Sequence, residues 1–272
     1  MTTTLATARP LETSPSPLAR TLDEQTASSA PRSRPWYAAA IPAHPWWWAI
    51  ALVVACGWDR AVWLAVSRYV SPAIESLEAV SFVMALAGLF SLSASQTLTA
   101  LQWLLYHAIK GFGTAWVSTA LAAAIVIRAF FRPDTGRVRL GVRRGVLLFL
   151  CPAVAGLIAE GVKLIVRRQR PEFSDGLYSF RFTDWFSGSG LGMPSSHTAV
   201  AAAMAVALSV LYPRGRALWW MLAGLCCLSR VAAGAHFASD AIAGILVGAS
   251  VAKAIVALDL RNNSGTPIPS SG

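Results

Sequence analysis

Lys163, Arg170, Ser195, Ser196, His197, Arg230, His236 and Asp240 are the residues of this chain whose types and spacing can do chemistry. They fall in three patches: Lys163 with Arg170-Pro171, then Pro194-Ser195-Ser196-His197, then Ser229-Arg230 with His236 and Asp240. Together the patches supply three fixed cations, two imidazoles and one carboxylate. Arg offers phosphate a rigid fork and Lys a point charge. Imidazoles attack or carry protons near neutral pH. The set points to phosphoryl chemistry, and each patch ends a long apolar stretch, which puts that chemistry at a membrane surface.

Each patch also has a plainer reading. Lys163 and Arg170 are seven residues apart, so on a helix continued past the membrane edge they share a face. There they can grip one phosphate group or simply snorkel to lipid headgroups, and Pro171 is expected to end the helix. Pro194 to His197 reads as a helix start whose free N–H groups and two hydroxyls suit an anion, or as a cap beside a structural histidine. His236 and Asp240, spaced i to i+4 on a helix, allow the carboxylate to fix one tautomer and leave the other nitrogen as nucleophile. The alternative is an ion pair stapling two helices. Arg230 in an apolar segment calls for a polar partner, and Gly234 supplies a joint before the next helix.

The elements that must hold these groups are membrane helices. Of 272 residues, 55% are hydrophobic and 13% charged, half the charge density of soluble domains. The expected fold is an all-α, polytopic membrane helical bundle of about six transmembrane helices. The spans run from Trp46 to Val66, broken by Asp59-Arg60, then Thr114 to Phe131, Gly145 to Val166, Thr198 to Tyr212, Ala217 to Phe237, which includes Arg230, and Ala241 to Leu258. Trp46 to Trp48 suit an interfacial belt. Val80 to Leu92 and Leu98 to Ile109 are shorter and read as interfacial or re-entrant helices.

Residues 1–45, rich in Pro, Ser, Thr and Ala, read as a disordered cytoplasmic tail. Residues 46–260 form the membrane-embedded domain with its motif core at 163–240, and 261–272 are a short C-terminal tail. No apolar leader region precedes the first span, which is expected to act as an uncleaved anchor. The net charge of +10 comes from clusters between apolar runs, which disfavours nucleic acid as a partner. Cys56, Cys151, Cys226 and Cys227 all lie in apolar runs and read as free thiols. Arginines before the first span, at 132–144, at 214–216 and at 261 mark the cytoplasmic side, which sets the three patches on the opposite, periplasmic or exterior, face of the cytoplasmic membrane.

In order and spacing, K-x6-R-P at Lys163–Pro171, P-S-S-H at Pro194–His197 and S-R-x5-H-x3-D at Ser229–Asp240, the chain resembles the type 2 phosphatidic acid phosphatase superfamily, which includes membrane lipid phosphatases and soluble vanadium haloperoxidases. The resemblance implies that Lys163, Arg170 and Arg230 bind phosphate, with Ser195 and the amide of Ser196 completing the cradle. It further implies that His236 attacks phosphorus to give a phosphohistidine, that Asp240 orients His236, and that His197 protonates the leaving oxygen and then activates water. No metal or other cofactor is implied. Ser196 replaces the family's Gly; its N–H still donates, while the hydroxyl narrows the pocket or alters substrate choice. Glu160, one turn before Lys163, lies outside the motif and is expected mainly in helix packing, with pairing to Lys163 as the alternative.

The expected function is therefore metal-independent hydrolysis of a membrane lipid phosphate or diphosphate. A non-catalytic lipid-phosphate binder or flippase on the same scaffold is the second reading, and vanadate-dependent halide oxidation the third, disfavoured by the many spans. The aromatic loop Glu172 to Met193 suits contact with a lipid tail or ordinary interfacial anchoring.

Overall fold

The structure is a computed structural model that describes residues 45–78, 80, 94–131, 134–174, 179–183 and 188–262. These residues form helices α1 (Pro45–Tyr69), α2 (Ser71–Glu78), α3 (Ala94–Phe112), α4 (Ala115–Phe130), α5 (Thr135–Val166), α6 (Ser196–Leu211), α7 (Arg216–Ala232) and α8 (Ala238–Asn262), with short 3-10 turns at Pro171–Phe173 and Pro213–Gly215. The fold is all-helical, as expected. Most of the tail 1–45, the segment Val80 to Leu92 beyond Val80, and residues 263–272 lie outside the described residues.

Helix α6 is the hub, packed by α5, α7 and α8. Its sequence is rich in alanine, and small side chains let neighbouring backbones come close, so residues from Thr198 to Leu211 are buried almost without exception. Helix α8 meets it through Gly244 and Gly248. A Cβ on Gly248 would fall 2.0 Å from the Ala199 carbonyl oxygen, and one on Gly244 would fall 2.4 Å from that of Ser195. Glycine at this i, i+4 spacing is therefore what allows the amino end of α8 to sit against the amino end of α6.

Among the described residues, α1, α5 and α8 are long and apolar enough to cross a membrane, and α3 with α4 passes as one pair bent by 78°. Length and composition thus give three such helices, or four with the bent pair, against an expected six. The difference lies in α6 and α7, which are 16 and 17 residues long.

Helix boundaries also differ from expectation. Helix α5 starts at Thr135, well before Gly145, because Asp134 accepts from the Gly136 N–H at 2.9 Å and Arg143 pairs with Asp259 of α8 at 2.7 Å. Helix α7 stops at Ala232, short of Phe237, where Gly234 turns the chain with φ of 68°. Helix α3 is longer than the expected Leu98–Ile109 segment.

Candidate active site

The carboxyl ends of α5 and α7 and the amino ends of α6 and α8 carry the three patches. Lys163 lies in the last turn of α5, and the helix ends at Val166 with Arg167 in the left-handed region (φ 57°, ψ 23°). A side chain other than glycine there costs roughly 1–3 kcal/mol. The buried Arg167 guanidinium holds the turn by donating to the carbonyls of Arg181 and Thr183, each at 2.5 Å.

The chain beyond Arg167 is extended. Gln169 N–H donates to Ser179 O (2.8 Å), Arg170 N–H to Gly190 O (2.9 Å) and Gly192 N–H to Arg168 O (2.7 Å). This corrects the expectation that Lys163 and Arg170 share one helical face. The helix ends before Pro171, and Arg170 is positioned by the 179–181 and 190–192 segments flanking it.

Ser195 precedes α6 and is fully buried. Its hydroxyl makes no cap hydrogen bond and instead accepts from Thr198 Oγ1 at 3.0 Å, so the cap reading does not hold for its side chain. Its backbone N–H donates to the Asp240 carbonyl at 2.9 Å, which locks the amino end of α6 to that of α8. Ser196 binds elsewhere. Lys163 Nζ donates to Ser196 Oγ (2.5 Å) and to Glu160 Oε1 (2.7 Å), and Ser196 Oγ donates to the same Glu160 oxygen (2.5 Å). Glu160 is thus a partner of Lys163, not only a packing residue.

His236 sits in the turn before α8 and Asp240 in that helix's first turn, so the two do not share a helix as their spacing suggests. His236 Nδ1 stands 3.8 Å from Asp240 Oδ2 and has no hydrogen-bond partner. Catalytic contacts are often this long in unliganded sites. Burial pushes the His236 imidazole below its ordinary value, Asp240 opposes that, and Arg230 and Arg170 reinforce it. The charge of Arg230, His236 and Lys163 also reaches His197 in the first turn of α6.

Arg230, in the last turn of α7, is buried, and its Nε and Nη1 have no hydrogen-bond partner. Buried guanidinium donors beside two imidazoles are groups that can donate to an anion. Among the described residues, no three His, Cys, Asp or Glu side chains are grouped to hold a metal ion.

With this geometry, residues 144–264 match the PAP2 superfamily. All three motifs of the expected resemblance lie inside that segment, whereas α1 to α4 precede it. The chain is 32% identical over 154 residues to a lipid A 1-phosphatase of Rhizobium etli, covering 52% of this chain and 64% of that protein. It is 37% identical over 109 residues to a lipid A 1-phosphatase of Rhizobium johnstonii, covering 39% and 43%. The chain thus spans less than two thirds of either relative. A solved structure, the first transmembrane PAP2 type phosphatidylglycerolphosphate phosphatase from Bacillus subtilis, aligns over 80% of this chain and 96% of its own at 18% identity and a TM-score of 0.46.

Sequence reasoning missed the charges behind this site. Arg168 is buried between Asp240, at 3.0 Å, and Asp59 of α1, at 2.9 Å. The signal was present, since a carboxylate in the middle of an apolar span marks function by default. Of the loop aromatics, Phe173, Phe180 and Phe182 are exposed, with the last two stacked at 6.4 Å, while Tyr178, Trp185 and Phe186 lie outside the described residues.

Proposed function

We propose that the protein is a metal-independent phosphatase that hydrolyses a lipid phosphate through a phosphohistidine. The reading rests chiefly on the partnerless buried donors of Arg230 beside His236 and His197. Lys163, Arg170, Arg230, the Ser195 hydroxyl and the amide of Ser196 hold the phosphate oxygens and take up charge as it spreads over them.

His236, with Nδ1 turned to Asp240, attacks through Nε2. The N–P bond forms as the P–O bond to the lipid breaks, and His197 gives the leaving oxygen its proton. Water then attacks phosphorus and passes a proton to His197, the N–P bond breaks, and inorganic phosphate departs.

A lipid monophosphate is the substrate class that the relatives' names favour. The outer face of the cytoplasmic membrane is favoured by the arginines. Arg137 to Arg144 lie at the amino end of α5, Arg214 and Arg216 in the α6–α7 turn and Arg261 at the end of α8, all at helix ends opposite the site.

The test is phosphate release by detergent-purified protein in EDTA over a panel of lipid A, phosphatidic acid, phosphatidylglycerol phosphate and polyprenyl diphosphate. Release that vanishes in His236→Ala supports the reading. No release from any lipid favours a binder or flippase instead.

A further inference from the structure

Asp59 is fully buried in the middle of α1, where its only charged neighbour along the helix is the exposed Arg60, and it lies outside the segment that matches PAP2. Its Oδ1 accepts from the Ser239 N–H at 2.9 Å, and its Oδ2 accepts from Ser239 Oγ at 2.5 Å and Arg168 Nη2 at 2.9 Å. Arg168 Nη1 continues the chain to Ser239 Oγ at 2.5 Å and Asp240 Oδ1 at 3.0 Å. The same guanidinium lies 4.2 Å from the centre of the Phe237 ring, and the Phe237 N–H donates to Asp240 Oδ2 at 3.0 Å.

Every polar contact of Asp59 therefore ends on the start of α8 or on the arginine that holds Asp240. A carboxylate buried in a span is costly unless it is paired. Structural stapling needs one carboxylate for Arg168, and Asp240 already supplies it. The second carboxylate leaves the trio with a net negative charge next to a neutral His236.

We infer that Asp59 is a positioning residue of the catalytic histidine: by sharing Arg168 it keeps Asp240 placed and only partly neutralised, so that Asp240 supports the positive charge His236 gains on attack. This rests on the phosphatase reading above. Without Asp59, Arg168 turns wholly to Asp240 and cancels the charge facing the ring. The charged and titratable groups around His236 are Asp240 on α8, Arg230 on α7, Arg170 after α5 and His197 on α6, with Asp59 one step behind. None of the phosphate-binding cations is touched by the change.

The experiment compares wild type, Asp59→Asn, Ser239→Ala and His236→Ala in detergent, reading kcat, KM, the pH profile and thermal unfolding. Asp59→Asn is expected to lose at least tenfold in kcat with KM within twofold, and to move the acid limb of its profile to lower pH. Unchanged kcat and an unmoved acid limb in folded Asp59→Asn overturn the inference, whatever happens to its unfolding temperature. If Asp59→Asn does not fold, Ser239→Ala carries the test, because it keeps every charge and removes the hydroxyl shared by Asp59 and Arg168. A several-fold fall in kcat at constant KM supports the inference, and kcat within twofold of wild type overturns it. Failure of the phosphatase reading is seen separately, as wild type releasing no phosphate or His236→Ala releasing as much as wild type.

Discussion

Lys163 Nζ lies 2.7 Å from Glu160 Oε1, so the ammonium proposed to grip phosphate already faces a carboxylate, and Ser196 bonds to both. An incoming phosphate meets this negative charge at its own binding cation. The Glu160 side chain is 55% exposed, so water screens it. Its removal is worth about 0.5–1 kcal/mol. Glu160→Gln should therefore tighten competitive inhibition by inorganic phosphate about two- to fivefold. An inhibition constant that rises instead counts against Lys163 as a phosphate ligand.

Arg230 lacks partners on two buried nitrogens, and a lysine there keeps the charge but loses the fork. Charge-assisted hydrogen bonds contribute about 1.5–3 kcal/mol each, so Arg230→Lys should lower kcat/KM by about 10- to 100-fold. Steady-state kinetics on a lipid phosphate decide it, and wild-type efficiency contradicts the assignment.

The pH profile follows from His236. Only the neutral ring has a lone pair for attack, so activity is present above the pKa of the folded protein and lost as pH falls through it. Burial, with Arg230 and Arg170, moves that pKa down. The acid limb of kcat/KM should lie below the ordinary histidine value of about 6.5. A limb at or above that value contradicts a buried neutral nucleophile.

The seam between α6 and α8 is closed by Gly248, where a Cβ would fall 2.0 Å from the Ala199 carbonyl oxygen. Backbone cannot yield as a flexible side chain does, and overpacking of this kind costs about 1–3 kcal/mol. Gly248→Ala should lower Tm by several degrees in detergent. An unchanged Tm means that the two helices slide apart freely, against the packing described.

The parts legible in the sequence were local. The three patches could be read because each holds its groups within a few residues, at helix ends where the apolar runs stop. What joins them was not legible. Arg168 meets Asp59 across 109 positions, and in the sequence Asp59 is only a polar break in a span. Pro171 drew attention as the helix stop, yet the stop is Arg167, whose left-handed turn depends on carbonyls at 181 and 183. Gly244 and Gly248 carry a spacing that could have been read as a helix-docking face. The enclosure of α6 was not legible, because apolarity alone does not separate a lipid-facing helix from one packed on several sides by its neighbours.

The central claim is that His236 carries the phosphoryl group. Rapid alkaline quench of the purified protein turning over a lipid labelled in its phosphate tests this directly, with the labelled peptide mapped at high pH. The account predicts an acid-labile, base-stable phosphoryl group on His236 in wild type and none in His236→Ala. Turnover with label persisting in His236→Ala, or found on another residue, would contradict it.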